Sequence, residues 1–153
     1  KVDGIEINLQ HNFGDTGYGF IANATIANAD IAFDALSLSP TQFVLPGLSD
    51  SANLIGFYDK DGFQARFAYN WRDRFVGGIG QDAGSEGINP QTVARYGQLD
   101  ISASYEISDN LTIFADGINI LEADYRVYSR ESLQVLQAGQ TGARYNLGVR
   151  YTF

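Results

Sequence analysis

The stretch ARYNLGVRYTF, residues 143–153, alternates between apolar and polar side chains after its first residue. Successive side chains of an extended chain point to opposite faces. One face would therefore carry Tyr145, Leu147, Val149, Tyr151 and Phe153. Arginine, asparagine, glycine and threonine would occupy the other face. The stretch predicts a β-strand with one apolar and one polar face.

Six further stretches show the same period of two. They cover residues 3–13, 17–30, 49–58, 62–75, 97–107 and 110–121. The third is the least regular, and the sixth has apolar residues on both faces. The chain also has 17 Gly, 10 Phe and 9 Tyr against only 3 Pro. Alternation, aromatic content and turn-forming residues together predict an all-β protein with seven strands.

The connections between these stretches alternate in length. Short polar turns are expected in FGDTGYGF (residues 13–20), FYDKDGF (57–63) and EISDNL (106–111). Long connections are expected at about residues 30–48, 74–95 and 122–141. In an antiparallel up-and-down sheet, this order puts all short turns at one end and all long loops at the other. Outer-membrane barrels have that asymmetry.

Six charged residues of the strands fall on the polar face. They are Arg66, Arg72, Asp100, Glu106, Arg144 and Arg150. Alternation alone does not say which face is the inside, but aromatic placement bears on it. Aromatic residues flank aliphatic ones on the apolar face, as in the interfacial girdles of a membrane barrel. Strands of about ten residues also suit a tilted membrane crossing. We therefore expect the apolar face to contact lipid and the polar face to line a lumen.

Several classes of function are disfavoured by composition. The chain has no Cys, and its single histidine, His11, cannot form a histidine metal cluster or a catalytic triad. The net charge of −8 leaves no basic stripe for nucleic acid. The chain contains no run of about 18 apolar residues, so no membrane-spanning helix is predicted. We expect no enzymatic activity, cofactor or metal. DKDG reads as a hairpin turn, and GGIGQDAGSEG (77–87) as a mobile extracellular loop.

The end of the chain, NLGVRYTF, resembles the signal that the barrel-assembly machinery reads on outer-membrane proteins. Asn146, Gly148, Tyr151 and Phe153 occupy its positions. Residues 96–128, YGQLDISASYEISDNLTIFADGINILEADYRVY, resemble the last strands of TonB-dependent receptors. Residues 45–75, LPGLSDSANLIGFYDKDGFQARFAYNWRDRF, are similar to the preceding hairpin of that family, especially its oligosaccharide-type members.

This resemblance implies that residues 1–153 are the C-terminal part of a transmembrane barrel of about 22 strands. The plug, the energy-coupling motif (the TonB box) and the earlier strands would lie outside them. The implied function is active import across the Gram-negative outer membrane of an oligosaccharide or a ferric siderophore. The implied partners are outer-membrane lipid, the receptor's own plug, the TonB complex, the barrel-assembly machinery and the ligand.

Within this framework, two sets of residues are candidates for functional contacts. The loop and rim aromatics expected to touch substrate are Phe43, Phe75, Tyr96, Tyr125 and Tyr128. The arginines expected to face the lumen are Arg66, Arg72, Arg144 and Arg150. These arginines would pair with acidic residues of the plug or guide an anionic ligand.

Two alternatives stay open from sequence. The first is a complete eight-stranded outer-membrane barrel with a structural or adhesive role, whose eighth strand would lie in RVYSRESLQVLQ (residues 126–137). The second is a soluble, lipocalin-like binding protein, in which the apolar face would form an internal core.

Overall fold

The computed structural model describes residues 1–31, 33–37, 39, 42–81 and 88–153. Within them the protein is all-β, with eleven strands and one short 3₁₀ turn, Gly14–Thr16. The strands are β1 Val2–Asn12, β2 Tyr18–Ala29, β3 Ser51–Lys60, β4 Phe63–Arg72, β5 Phe75–Gln81, β6 Ile88–Val93, β7 Tyr96–Ser108, β8 Leu111–Ile118, β9 Tyr125–Tyr128, β10 Val135–Gly139 and β11 Arg144–Tyr151.

Seven strands form one large sheet in the order β1-β2-β3-β4-β7-β8-β11. Every neighbouring pair is antiparallel, so the strands run up and down in chain order. The predicted all-β class and the antiparallel order are confirmed, and the seven predicted strands are those of the large sheet; the other four strands were not predicted. In the described residues the sheet is open, because β1 and β11 each have a neighbour on one side only.

The predicted alternation of short and long connections is also confirmed. The short ones are residues 13–17, 61–62 and 109–110, and the long ones are 30–50, 73–95 and 119–143. The turn in DKDG consists of Asp61 and Gly62, whose φ angles are 53° and 75°. Two consecutive positive φ angles are what a two-residue hairpin turn requires, and Asp-Gly favours them.

Two of the long connections build a second, four-stranded sheet in the order β10-β9-β6-β5. The expectation of a mobile loop at residues 77–87 is therefore wrong for residues 77–81, which belong to β5. Residues 82–87 lie outside the described part. The segment 126–137 supplies parts of β9 and β10 to this second sheet, and does not add an eighth strand to the large one.

The register shows that the large sheet has two chemically distinct faces. The apolar residues face one side, as the rows Leu54–Tyr69–Leu99 and Phe67–Ile101–Gly117 illustrate. The exposed fractions on this apolar face are 85% for Leu147, 44% for Phe67 and 42% for Ile101. Those side chains are not gathered in a core. Across the described residues, the buried hydrophobic ones are Ala68, Val93 and Val127.

Aromatic rings cover glycines of neighbouring strands in the large sheet. A Cβ on Gly56 would lie 2.2 Å from the ring of Phe67, its direct cross-strand partner on the apolar face. On the polar face, a Cβ on Gly148 would lie 2.3 Å from the ring of Phe114. Such ring-over-glycine pairs fix the strand register, because a side chain at the glycine would displace the ring.

Candidate functional site

A cavity of about 360 Å³ lies where the large sheet meets the long connections. At this end β3 begins at Ser51, β4 ends at Arg72 and β7 begins at Tyr96, and the register sets these three residues side by side. Tyr125, the first residue of β9, also lines the cavity. The remaining lining residues are Asn53, Asn70 and Trp71. We call this the mouth cavity.

Arg72 is the cationic group of the mouth cavity. Its guanidinium carbon lies 4.5 Å from the centre of the Phe75 ring, a distance at which a cation is attracted to an aromatic face. The Nε–H of Arg72 is buried and has no hydrogen-bond partner among the described residues. Stacking holds the side chain in place, while this donor stays unsatisfied within the described part of the chain. An oxygen-rich ligand could satisfy it.

A chain of side-chain hydrogen bonds runs from the mouth cavity along β7. The Tyr96 hydroxyl donates to Gln98 Oε1 at 2.6 Å, and Gln98 Nε2 donates to Asp100 Oδ1 at 2.7 Å. The same Asp100 oxygen accepts the backbone N–H of Asn119 at 2.8 Å. These bonds orient Tyr96 and connect it to the start of the third long connection.

Asn119 closes that connection on itself. Its side-chain Nδ2 donates to Ala123 O, Thr141 Oγ1 and Gly142 O, and its Oδ1 accepts from Ala123 N. The residue is only 2% exposed and has a φ of 55°, a backbone region that asparagine tolerates better than most residues. Asn119 therefore fixes both ends of residues 119–143.

The long connections also bond to one another. Arg130 Nη1 donates to the carbonyl oxygens of Ala35 and Ser37, both at 3.1 Å. The backbone N–H of Gly47 donates to Val76 O at 3.1 Å. The first long connection is thus hydrogen-bonded to the second and third, the two connections that contain the strands of the small sheet. Together they form a shared structure next to the mouth cavity.

The five aromatics predicted to touch substrate are only partly brought together. Tyr96 and Tyr125 line the mouth cavity, and Phe75 lies beneath Arg72. Tyr128 sits in the second sheet opposite Thr92 and Val135. Phe43 is 63% exposed in the first long connection. The structure therefore groups three of the five around one arginine.

The four predicted lumenal arginines share the polar face of the large sheet but lie at different heights. Arg66 and Arg150 line a second cavity of about 410 Å³ together with Asp116. Arg72 lies at the mouth cavity, and Arg144 is opposite Ile118 at the start of β11. Among the described residues, none of the four forms an ion pair with a carboxylate. Their predicted pairing with a plug stays a prediction.

Three residues of the predicted assembly signal lie on the edge strand β11, and Phe153 follows its end. Asn146 is opposite Asp116, and Gly148 lies under the Phe114 ring. The rings of Tyr151 and Phe153 meet edge to face, with centres 5.1 Å apart. Phe153 is fully exposed. Gly148 thus has a packing role in the sheet, independent of any recognition by assembly proteins.

Sequence reasoning missed the Tyr96–Gln98–Asp100–Asn119 chain. The signal that could have found it is Asn119 itself, a polar residue followed by Ile120 and Leu121 at the end of an apolar strand. Asparagine at such a position often adopts left-handed backbone and bonds neighbouring peptide groups. Its partners across 22 and 23 residues could not be read from local sequence.

Comparison of the chain with family models, curated proteins and solved structures finds no significant match. In the described part of the chain, no group of three or more histidine, cysteine, aspartate or glutamate side chains could hold a metal ion. Among the same residues, no helix has the length and apolarity that crossing a membrane requires.

Proposed function

We propose that this chain forms part of the wall of an outer-membrane β-barrel importer, with the apolar face of the large sheet against lipid. The observation that carries the proposal is the exposure of that face. On the inner strands, which have a neighbour on both sides, Leu54, Phe67 and Ile101 are still 44%, 44% and 42% exposed. On the edge strands, Leu147 and Ile5 reach 85% and 62%. A water-soluble sheet buries such a face against a second layer. Hydrocarbon is the medium that would cover it here.

The opposite face suits a wet interior. It carries the four strand arginines and the acidic residues Glu6, Asp100, Glu106 and Asp116. Cavities lie next to Arg66, Arg72 and Arg150. Charged residues on a lipid face are costly, whereas a barrel lumen tolerates them. The apolar character of one face and the charged character of the other are thus consistent with lipid outside and water inside.

The free edges of β1 and β11 support further strands in the same barrel. An unpaired edge presents N–H and C=O groups that hydrocarbon cannot satisfy. Both edges therefore need partners in a membrane, and we infer that additional strands of a larger barrel supply them. The resemblance to TonB-dependent receptors favours a barrel of about 22 strands with a plug.

The transport role rests on the mouth cavity together with that resemblance. Two tyrosines, one stacked arginine and two asparagines surround a space of about 360 Å³ at the long-loop end. Aromatic faces, a cation and amides can orient an oligosaccharide or an anionic ferric siderophore. We propose that substrate first meets the protein here, on the extracellular side, with the three short turns facing the periplasm.

Epitope tags on intact cells test both facing and orientation. One tag would follow Leu133, which is 86% exposed between β9 and β10. The matched tag would follow Asp109, in a short turn at the opposite end of the sheet. We expect antibody to reach only the first tag until the outer membrane is permeabilised, and both proteins to fractionate with that membrane. Surface labelling at Asp109 alone would reverse the orientation. Recovery of the untagged parent in the soluble fraction would refute the membrane function.

A further inference from the structure

A row of five carboxamide side chains crosses the polar face of the large sheet. Asn8 of β1 is opposite Asn23 of β2, Asn23 is opposite Asn53 of β3, and Asn53 is opposite Asn70 of β4. Gln98 of β7 is opposite Asn70 and completes the row. Four strand spacings of about 4.8 Å make it about 19 Å long. We call it the amide row.

The asparagines of the amide row are not used for internal structure. Among the described residues, Asn8, Asn23, Asn53 and Asn70 make no side-chain hydrogen bond, whereas Gln98 bonds to Tyr96 and Asp100. Asparagine is depleted in strands, so four of them in register carry a cost in strand stability. Their donors and acceptors remain available on one face, which points to a ligand instead of to folding.

The neighbouring rows give this surface a defined chemistry. On the short-turn side, the register places Ile21, Ile55 and Ala68 side by side. On the long-loop side it places Thr25 opposite Ser51, and Ser51 opposite Arg72. The amides thus lie between a row of Ile21, Ile55 and Ala68 that continues to Asp100 and a row of Thr25 and Ser51 that continues to Arg72. No charged residue lies within the amide row itself.

The amide row also leads into the mouth cavity. Asn53 and Asn70, its third and fourth members, line that cavity together with Tyr96 and Tyr125. Gln98, its fifth member, accepts the hydrogen bond of the Tyr96 hydroxyl. A ligand that rests against the two tyrosines would therefore meet the amides directly below them.

The chemistry of the amide row matches a neutral polyhydroxylated chain. Each carboxamide offers two donor hydrogens and one acceptor oxygen, as a ligand hydroxyl both donates and accepts. Sugar rings also have apolar C–H faces, which Ile21, Ile55 and the two tyrosines can cover. An anionic ligand would find no cation along these five positions. We propose that the amide row binds a neutral oligosaccharide along the inner surface of the barrel wall. The binding track runs from the mouth cavity over neighbouring strands to β1.

This inference rests on the proposed function, because it places the polar face in a lumen that substrate enters. The other polymer that could cover the same face is a polypeptide such as the plug. Amides that bonded to a plug would contribute to protein stability and leave ligand affinity unchanged. That difference makes the two readings separable.

The test uses the full-length outer-membrane protein that contains this chain, purified in detergent. Neutral hexasaccharides of glucose, xylose and mannose and one anionic ferric tricatecholate are titrated by calorimetry. The double variant Asn53→Ala/Asn70→Ala is compared with Asn12→Ala, which lies on the same face two rows away. We expect at least one neutral hexasaccharide to bind the parent protein. The double variant should bind it at least tenfold more weakly, and Asn12→Ala within twofold of the parent.

Equal affinity in the double variant and the parent, or binding of the ferric tricatecholate alone, would overturn the amide row as a sugar track. A loss of thermal stability in the double variant with unchanged affinity would assign the row to the plug. If the double variant fails to fold, the single variant Asn70→Ala serves, with an expected loss of about threefold. Membrane fractionation of the same proteins keeps the proposals distinct. A membrane-inserted parent that binds no sugar contradicts only this inference, and a soluble parent contradicts the proposed function.

Discussion

The two sheets of this protein treat their apolar residues in opposite ways. The large sheet has regular alternation and continuous pairing, yet its aliphatic face is exposed, with Leu54 at 44% and Ile101 at 42% on inner strands and Leu147 at 85% on the edge strand β11. The four-stranded sheet is short and interrupted by bulges near Val76 and Val135. Among the described residues, it nevertheless holds two of the three buried hydrophobic side chains, Val93 and Val127. The sheet with the regular apolar–polar alternation is thus not the sheet that buries its apolar side chains.

The contrast indicates two different surroundings. A sheet that must leave its own apolar face uncovered suits hydrocarbon, because lipid covers that face without any protein layer. The small sheet pairs Val93 with Val127 and fully buries Pro90. It is therefore stabilised by removing apolar surface from water, as soluble structures are. We interpret the large sheet as barrel wall and the small one as part of an extracellular structure above it.

A charge on the exposed aliphatic face tests the assigned surroundings of the large sheet most directly. Leu147→Arg should lower the free energy of unfolding by about 2–4 kcal/mol if the side chain faces mid-bilayer. The matched variant Asn146→Arg puts the same charge on the adjacent, polar face. Both are measured with the full-length protein by denaturant titration in lipid vesicles, where no assembly machinery acts. An equal loss for the two variants would contradict the assigned facing.

The second prediction concerns the closure of the third long connection. Asn119→Ala removes hydrogen bonds to Ala123, Thr141 and Gly142, and leaving buried groups unsatisfied costs about 1–3 kcal/mol. We expect faster hydrogen exchange in residues 119–143, with exchange in β1 to β4 unchanged. Asn28→Ala, at an exposed site, is the control. Uniformly faster exchange over the whole chain would mean that the two sheets unfold as one unit.

These two regions also differ in how far sequence alone could describe them. The seven long strands alternate between apolar and polar residues, and Asp-Gly is a typical pair for a two-residue hairpin turn. The strands and the turn at Asp61–Gly62 could therefore be predicted. The strands of the second sheet are four to seven residues long and contain glycine, proline and bulges. A window that short shows no period, and their pairing partners are remote in sequence.

The candidate site was predictable to a similar, partial extent. Three of the five aromatics expected near strand ends lie around Arg72, and their contact with substrate stays a prediction. The grouping itself depends on which strand ends are adjacent, and so does the amide row. One asparagine per strand is unremarkable in sequence. Only the register, which is a property of pairs of strands, aligns four of them.

The third prediction separates packing from recognition at Gly148. Gly148→Ala should destabilise the protein by about 1 kcal/mol, the low end of the overpacking range, because its Cβ would lie 2.3 Å from the Phe114 ring. In a Phe114→Ala background the same change should cost nothing. Denaturant midpoints of the four proteins in the cycle measure the coupling. A penalty that persists without the ring would show that the glycine is needed for another reason.

The smallest expected effect lies at the boundary between the two sheets, where Arg72 ends β4 and Phe75 begins β5. Arg72→Lys keeps the charge but loses the planar group whose centre lies 4.5 Å from the Phe75 ring, so stability should fall by about 0.5 kcal/mol. Phe75→Leu should remove the difference between arginine and lysine, since it removes the aromatic face. If lysine still costs the same beside leucine, hydrogen bonding by the guanidinium, and not stacking, joins the wall to the structure above it.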